Sequence, residues 1–407
     1  MGEFLTHPFL WEFFVLVIVR IICLALSYLG LGMGFFPYLR MNRATIAFTG
    51  SAFMIGLGVV TLEEGWRAID VNTIVFLLSM MIINSYLSYG GFFNLVIHRL
   101  LRLSLSAFGL MVILTFSTAF LSALFLNDTL VLVMTPLVLK LTINLGLNPI
   151  PYLLAIASAT NLGSLPTLNG NPQNILVGSF SGIGYLDFLQ TLSPVAIISL
   201  FIQIALLYIL YPKVRSPLPL TITNLPPIKI HKPLLIKTLI ITTIMLISFV
   251  IGMPLAESAF IAAALLLITR RLKPQKVLQE INWSLLLMFS GLFILTRSVQ
   301  NLDLLDIFIP YVSHPWGLVT VTAILSNLIS NVPTVLLIKD FMVDNPQNWI
   351  LLASSATLAG NLTLFGSVAN LIMVEAAKSE GYNLSFWEHF RFGFPLTAIT
   401  LILLLYV

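Results

Sequence analysis

The chain is a succession of long apolar runs separated by short polar stretches. The runs are too long and too uniformly apolar to be the core-facing stripes of soluble helices. Ten of them read as membrane-spanning helices, at about 11–31, 44–61, 73–89, 150–182, 193–212, 234–252, 255–270, 284–300, 349–378 and 391–407. Gly, Pro and amide residues interrupt the runs at 150–182 and 349–378, which therefore read as broken helices. Two further runs, about 104–141 and 315–343, are too long for one crossing and carry polar residues at their centres. These read as re-entrant hairpins whose two ends lie on the same face. The short alternating segments of a membrane β-barrel are missing.

Composition sharpens this into a class. Of 407 residues, 58% are apolar and 9% charged, against about 25% charged in soluble domains. An all-α integral membrane protein follows. The stretch from Pro8 to Leu31 exceeds a signal-peptide core and leads into further membrane segments, so it reads as the first span and not as a cleaved leader. Cys23, the single cysteine, excludes an intrachain disulfide and a cysteine metal site. The five His read as loop or interface residues, which leaves no His-based metal site.

The net charge of +4 points to topology and not to nucleic acid. With both termini outside, Arg40, Arg43, Arg99, Arg102, Lys140, the basic residues of 213–237, Arg270, Arg271, Lys273, Lys276, Lys378 and Arg391 fall in cytoplasmic segments. Glu63, Glu64, Asp70, Asp187, Asp303, Asp306 and Asp344 gather outside, with Arg67 and Lys339. That asymmetry is the positive-inside signature. Arg20 lies inside the first span with no evident partner, and Arg297 at a span end reads as snorkelling to the interface. Glu257 and Glu375 read as interfacial.

The halves repeat. Residues 121–136, LSALFLNDTLVLVMTP, match 325–338, LSNLISNVPTVLLI, and residues 157–174, ASATNLGSLPTLNGNPQN, match 353–370, ASSATLAGNLTLFGSVAN. Thr167 falls on Thr363, Gly170 on Gly366 and Asn174 on Asn370. The organisation expected is an N-terminal repeat (1–212), a Pro-rich basic cytoplasmic linker (213–233) and a C-terminal repeat (234–407). Each repeat has an odd number of spans, so the second is inverted relative to the first. Inverted repeats with broken helices place a transport site near the midplane where the halves meet.

Candidate chemistry sits where the apolar runs break. A carboxylate in hydrocarbon costs several kcal/mol unless it faces a cavity or a partner, which singles out Asp128 between Asn127 and Thr129. The facing tip offers Ser330, Asn331 and Thr334 around Pro333, and carries no acid. Any carboxylate that couples a driving ion is therefore Asp128. Hydroxyl, amide and carbonyl oxygens suit a small hard cation, which makes Asn127, Asp128, Asn331 and Thr334 candidate ligands for Na+. Free helix N-termini suit an anion. The broken helices add Thr167, Gly170 and Asn174, and Thr363, Gly366 and Asn370, because irregular backbone at membrane depth lines a cavity or is buried in protein. HExxH, GxSxG and Walker A motifs are absent, so no enzymatic centre is expected.

The Asn-Asp-Thr tip, the ISNVPTVLL segment, TLNGNPQN and GNLTLFGSVANLI resemble the ion transporter superfamily. That group holds arsenite and antimonite efflux permeases, divalent anion/sodium symporters, a bacterial sodium/proton antiporter type and the melanosomal P protein. The opening YLGLG…LRMNRATIAFTG is similar to the anion permeases on the arsenite-permease side. The resemblance implies ion-site tips at Asn127, Asp128 and Thr129 and at Ser330, Asn331 and Thr334. It implies unwound segments at the matched Thr, Gly and Asn positions, and a homodimer. The dicarboxylate branch carries Ser-Asn-Thr at both tips, a pattern this chain lacks. The function expected is ion-coupled secondary transport of a small anion or oxyanion, driven by H+ or Na+, in the inner membrane. A sodium/proton antiporter and an ion channel are the alternatives.

Overall fold

A computed structural model describes residues 8–36, 38–101, 106–216, 230–304, 309–342 and 345–406. Along the first half run α1 (Pro8–Met33), α2 (Arg43–Gly56), α3 (Leu62–Ala68), α4 (Val71–Gly90), α5 (Phe92–Leu101), α6 (Ala107–Leu124), α7 (Asn127–Asn144), α8 (Ile150–Ser164), α9 (Pro172–Ser181) and α10 (Tyr185–Leu210). The second half holds α11 (Lys232–Val250), α12 (Leu255–Leu267), α13 (Pro274–Gln279), α14 (Trp283–Asn301), α15 (Ile309–Val312), α16 (Pro315–Ile329), α17 (Asn331–Ile338), α18 (Pro346–Ala359), α19 (Val368–Ser379) and α20 (Phe386–Leu404). Most of the expected linker, with Lys229, lies outside the described residues, as do Arg102, Asp306 and Asp344.

The protein is an all-α, multi-pass membrane bundle. Among the described residues, six helices are long and apolar enough to cross a membrane: α1 from Phe14, α4, α6, α10, α11 and α14. Ten spans were expected. Most of the difference comes from short helices: α2 has 14 residues, and a helix of that length is about 21 Å long against a hydrocarbon core of about 30 Å; α20 has 19 residues but carries Glu388, His389 and Arg391 in its first two turns. One of the six, α6, is the first arm of the run read as a hairpin. A small antiparallel ribbon, β1 (Phe35–Phe36) with β2 (Leu39–Asn42), joins α1 to α2 and was not foreseen.

Burial is inverted relative to a soluble protein. Ile236, Ile240, Ile244 and Ile247 form an outward ladder on α11, each more than half exposed. Such a face suits a membrane helix whose outer side is not in water. The interior holds the polar material instead: residues 151–177, with their Asn, Ser, Thr and Gln side chains, are all buried.

Local signals set the helix ends. Asn42 and Thr45 form a capping box at α2, Asp70 caps α4, and Asn171 caps α9 with Pro172 at its first position. Helices pack in matched sets: α2 on α14 and α4 on α12, α1 on α2 and α11 on α12, α6 on α8 and α16 on α18, α7 on α19 and α17 on α9. At the α6–α8 crossing a Cβ on Gly163 would sit 2.2 Å from the Ala119 carbonyl oxygen, so only glycine admits this approach.

Candidate functional site

Each half contains two interruptions placed side by side. The first lies at Phe125–Leu126, between α6 and α7, where Phe125 is fully extended (φ −131°, ψ 161°). Asn127 opens α7, and its backbone N–H donates to the Gly170 carbonyl at 3.0 Å. The tip therefore docks on the break between α8 and α9, residues 165–171. Asn169 ties the same joint from the other side, donating through Nδ2 to the Ala123 and Leu124 carbonyls at 3.3 and 3.0 Å. Tyr185 holds Asn169 with a 2.7 Å hydrogen bond.

The second half repeats the arrangement with different side chains. The tip between α16 and α17 is Ser330, at φ 82° and ψ 158°, a region almost restricted to glycine. With its amide oriented to satisfy both partners, Asn331 Nδ2 donates to the Ala356 and Gly366 carbonyls at 3.1 and 3.0 Å. Asn327 takes the stapling role. Its Nδ2 donates to the Ala359 carbonyl at 3.0 Å, and its Oδ1 accepts from the Thr363 hydroxyl at 2.8 Å.

The breaks themselves are spliced by asparagine. A helix that stops inside a membrane leaves its last carbonyls without donors. Asn174 Nδ2 serves the carbonyls of Ser164, Leu165 and Thr167 at 3.0, 3.1 and 2.9 Å. Asn370 Nδ2 serves those of Gly360 and Thr363 at 2.8 and 3.0 Å. Ser164 and Gly360, like Thr167 and Thr363, are matched positions of the sequence repeat, so each asparagine performs the same task in its own half. Thr363 also caps the short 3-10 turn Leu364–Gly366.

The two breaks meet in a chain of amides. Asn127 Nδ2 reaches Asn161 Oδ1 at 3.4 Å, Asn161 Nδ2 donates to Asn361 Oδ1 at 2.8 Å, and the Ser367 hydroxyl donates to Asn161 Oδ1 at 3.2 Å. Thr357 collects Asn171 and Gln173 at 3.4 and 3.1 Å. Thr167 Oγ1, Asn361 Nδ2 and Asn370 Oδ1 are buried and have no protein partner. Buried polar atoms are normally satisfied, which sets these three apart within the seam. Asp128 and Thr129 are half-buried at the start of α7. The Asp128 backbone N–H is held by Asn127 Oδ1 at 2.9 Å. Thr334 Oγ1 is occupied by the Ser330 carbonyl, at 2.9 Å.

Asn161, Asn169, Asn171, Gln173, Asn327, Thr357, Asn361 and Ser367 were not singled out from sequence. Their signal was present, since all are polar residues in or beside apolar runs. His389 is a correction. Read as an interface residue, it is 3% exposed in α20, with Nε2 at 3.1 Å from the Asn361 carbonyl oxygen. It is the fourth residue of α20, as Phe188 is of α10, and Phe188 is buried too. One turn on, a Cβ at Gly393 would lie 2.2 Å from the same oxygen, so α20 presses directly on the second break.

Arg20, unexplained in the sequence, ends α2: Nε and Nη2 donate to the Leu57 carbonyl at 3.0 and 2.7 Å. Arg297 bonds Gln300 at 3.2 Å. It lines a cavity of about 500 Å³ with Glu64, Arg67, Asp70, Gln300 and Lys339, away from the breaks. Among the described residues, no group of three or more His, Cys, Asp or Glu is placed to hold a metal ion.

A lipid-facing bundle with a buried polar seam between two broken helices defines a multi-pass membrane transporter of a small solute. The chain belongs to the citrate transporter family, whose model matches residues 14–353, and so to the broad superfamily of ion and anion transporters. That membership places it among transporters. Among its relatives are the silicon efflux transporter LSI3 of Oryza sativa subsp. japonica, 28% identical over 89% of this chain and 91% of that protein. A 46 kDa membrane protein of Mycobacterium leprae is 30% identical over 89% and 92%. The putative transporter arsB of Dictyostelium discoideum is 24% identical over 90% and 87%.

Proposed function

We propose that this protein is a secondary carrier for a small anion or oxyanion, coupled to H+ or Na+ and working by alternating access in the plasma (inner) membrane. One observation carries the reading: the two spliced breaks meet through Asn161 and Asn361 and leave three buried polar atoms unpartnered beside them. A continuous helix bundle has no use for such a seam, whereas a dehydrated solute does. The tips, with Asn127, Asp128, Thr129, Ser330, Asn331 and Thr334, and the breaks, with Thr167, Gly170, Asn174, Thr363, Gly366 and Asn370, form the cage in this reading. Asn127, Asp128, Asn331 and Thr334 are the candidate Na+ ligands.

Supporting the inverted repeat is the matched packing. If α2 corresponds to α12 and α4 to α14, then α2 on α14 and α4 on α12 are one contact seen twice, as are α7 on α19 and α17 on α9. Such exchangeable contacts let each half take the other's conformation, which is what alternating access needs. The two helix pairs act as re-entrant hairpins, 1–212 and 234–407 are the repeats, and the carrier works as a homodimer.

The test is transport by purified protein in liposomes, with pyranine inside and imposed sodium or pH gradients. Citrate, orthophosphate, arsenite and silicic acid are offered in turn. Solute-dependent proton or sodium movement is expected. Gradient-driven sodium/proton exchange without any solute would replace this reading by an antiporter built on Asp128, and single-channel currents would replace it by a channel.

A further inference from the structure

Arg43 was counted from sequence among the cytoplasmic positive charges, yet it is not a free surface cation. It opens α2 and is half-buried. Its Nε donates to the Leu31 carbonyl at 3.0 Å, at the end of α1. Its Nη2 reaches the Phe365 carbonyl at 3.4 Å, inside the second break. The guanidinium thus bridges the first helices and the second broken helix. Gly34, at φ 82°, leaves room beside it: a Cβ there would stand 3.5 Å from Nε.

Two features set this residue apart. Its Nη1 is buried and has no hydrogen-bond partner. A guanidinium offers five N–H donors in a fixed plane, and a buried donor without an acceptor is costly. Its charge is also felt at Asp128, and that of Asp128 at Arg43. The two still make no ion pair within 4.0 Å, because the ion pairs among the described residues join other side chains. A cation held in place by two carbonyls, with Nη1 buried and unpartnered and no acid in contact, is arranged for a third charged group.

We propose that Arg43 recognises the transported solute, through Nη1, as an anion that offers two oxygens side by side: a carboxylate or a tetrahedral oxyanion. Arg forms paired, charge-assisted hydrogen bonds with such groups, and Lys does not reproduce the fork. The Leu31 and Phe365 carbonyls aim the guanidinium, so the anion binds where the end of α1 meets the second break. The inference rests on the carrier reading and deepens its anion arm.

The test uses the full chain in nanodiscs, with thermal shifts titrated against sodium citrate, orthophosphate and sulfate at constant ionic strength, and against uncharged silicic acid. Wild type, Arg43→Gln and Arg43→Lys are compared after checking that each is monodisperse. At least one anion is expected to stabilise wild type. Its midpoint is expected to rise about tenfold or more in Arg43→Gln and by a smaller factor in Arg43→Lys, with the silicic acid response unchanged. If Arg43→Gln does not fold, the Arg43→Lys shift decides alone. Equal anion midpoints in the variants and wild type overturn the proposal, and so does stabilisation by silicic acid alone or by none of the anions. Coupled silicic acid transport by a wild type that binds none of the anions would remove this role for Arg43 and leave the carrier class standing.

Discussion

Asn161 donates through Nδ2 to Oδ1 of Asn361 at 2.8 Å, a direct side-chain bond between residues 200 positions apart. It joins the two broken helices at their unwound ends. Truncating either residue strands the other's buried amide. In a double-mutant cycle with Asn161→Ala and Asn361→Ala, a coupling of about 1 kcal/mol is expected in thermal or chemical unfolding. Strict additivity would mean that the breaks do not depend on each other.

Asp128 is the acid at the start of α7, half-buried and without an ion-pair contact among the described residues. Asp128→Asn keeps shape and hydrogen bonding but removes the charge. Ion-coupled flux is expected to disappear while membrane yield and Tm stay near wild type. Full pyranine-reported coupling in this variant would assign the driving ion elsewhere.

The splice asparagines differ in load. Asn174 serves three carbonyls and Asn370 two. Alanine at either position leaves buried acceptors unpaired, a loss of about 1–3 kcal/mol. Asn174→Ala is expected to lower Tm more than Asn370→Ala. The reverse order would mean that the first break is satisfied by other means.

Ser330 is strained. A residue other than glycine at φ 82° and ψ 158° costs of order 1–3 kcal/mol. Ser330→Gly is expected to raise stability by about 1 kcal/mol, part of the relief being offset by the freedom glycine gains when unfolded. Ser330→Val is expected to lower it. Thermal unfolding of the two variants side by side decides.

Glu64 lies outside the membrane segments. Its carboxylate accepts from the Thr61 backbone N–H at 2.8 Å and from the Thr61 hydroxyl at 3.0 Å, which together hold its carboxyl below the usual carboxylate range. Because the folded value is lowered, the cap on α3 is complete above the ordinary glutamate value and is lost as pH falls through the lowered one. Amide exchange across Leu62–Ala68 is therefore expected to accelerate below about pH 4 relative to neutral pH, after correction for intrinsic rates. Unchanged protection would show that the reciprocal cap does not hold this turn.

Much of this was legible in the chain. The interruption at 165–171 follows from Pro166, Gly170 and Pro172, whose backbone chemistry cannot continue a helix. The milder break at 360–367 was legible only through its match to the first. What the residues could not reveal is which polar groups join the two halves and which hold the backbone. Asn174 and Asn161 look alike in sequence, yet Asn174 spends its amide N–H groups on neighbouring carbonyls and Asn161 spends its own on the opposite half. Arg43 and His389 escaped notice for a related reason. Charge and proximity to a span end suggest the interface, and only tertiary contacts across 322 and 28 residues carry them inward.

The asparagine splices also bear on where this protein can bend. An unwound stretch would ordinarily be its softest part, but here every break is laced to its neighbouring helix ends and to the adjoining tip. Tips, breaks and α20 therefore behave as one stiff cassette. In the carrier reading proposed above, flexing falls at the margins of that cassette, along α2, α4, α12 and α14, so a solute held inside it would ride with the walls of its own compartment.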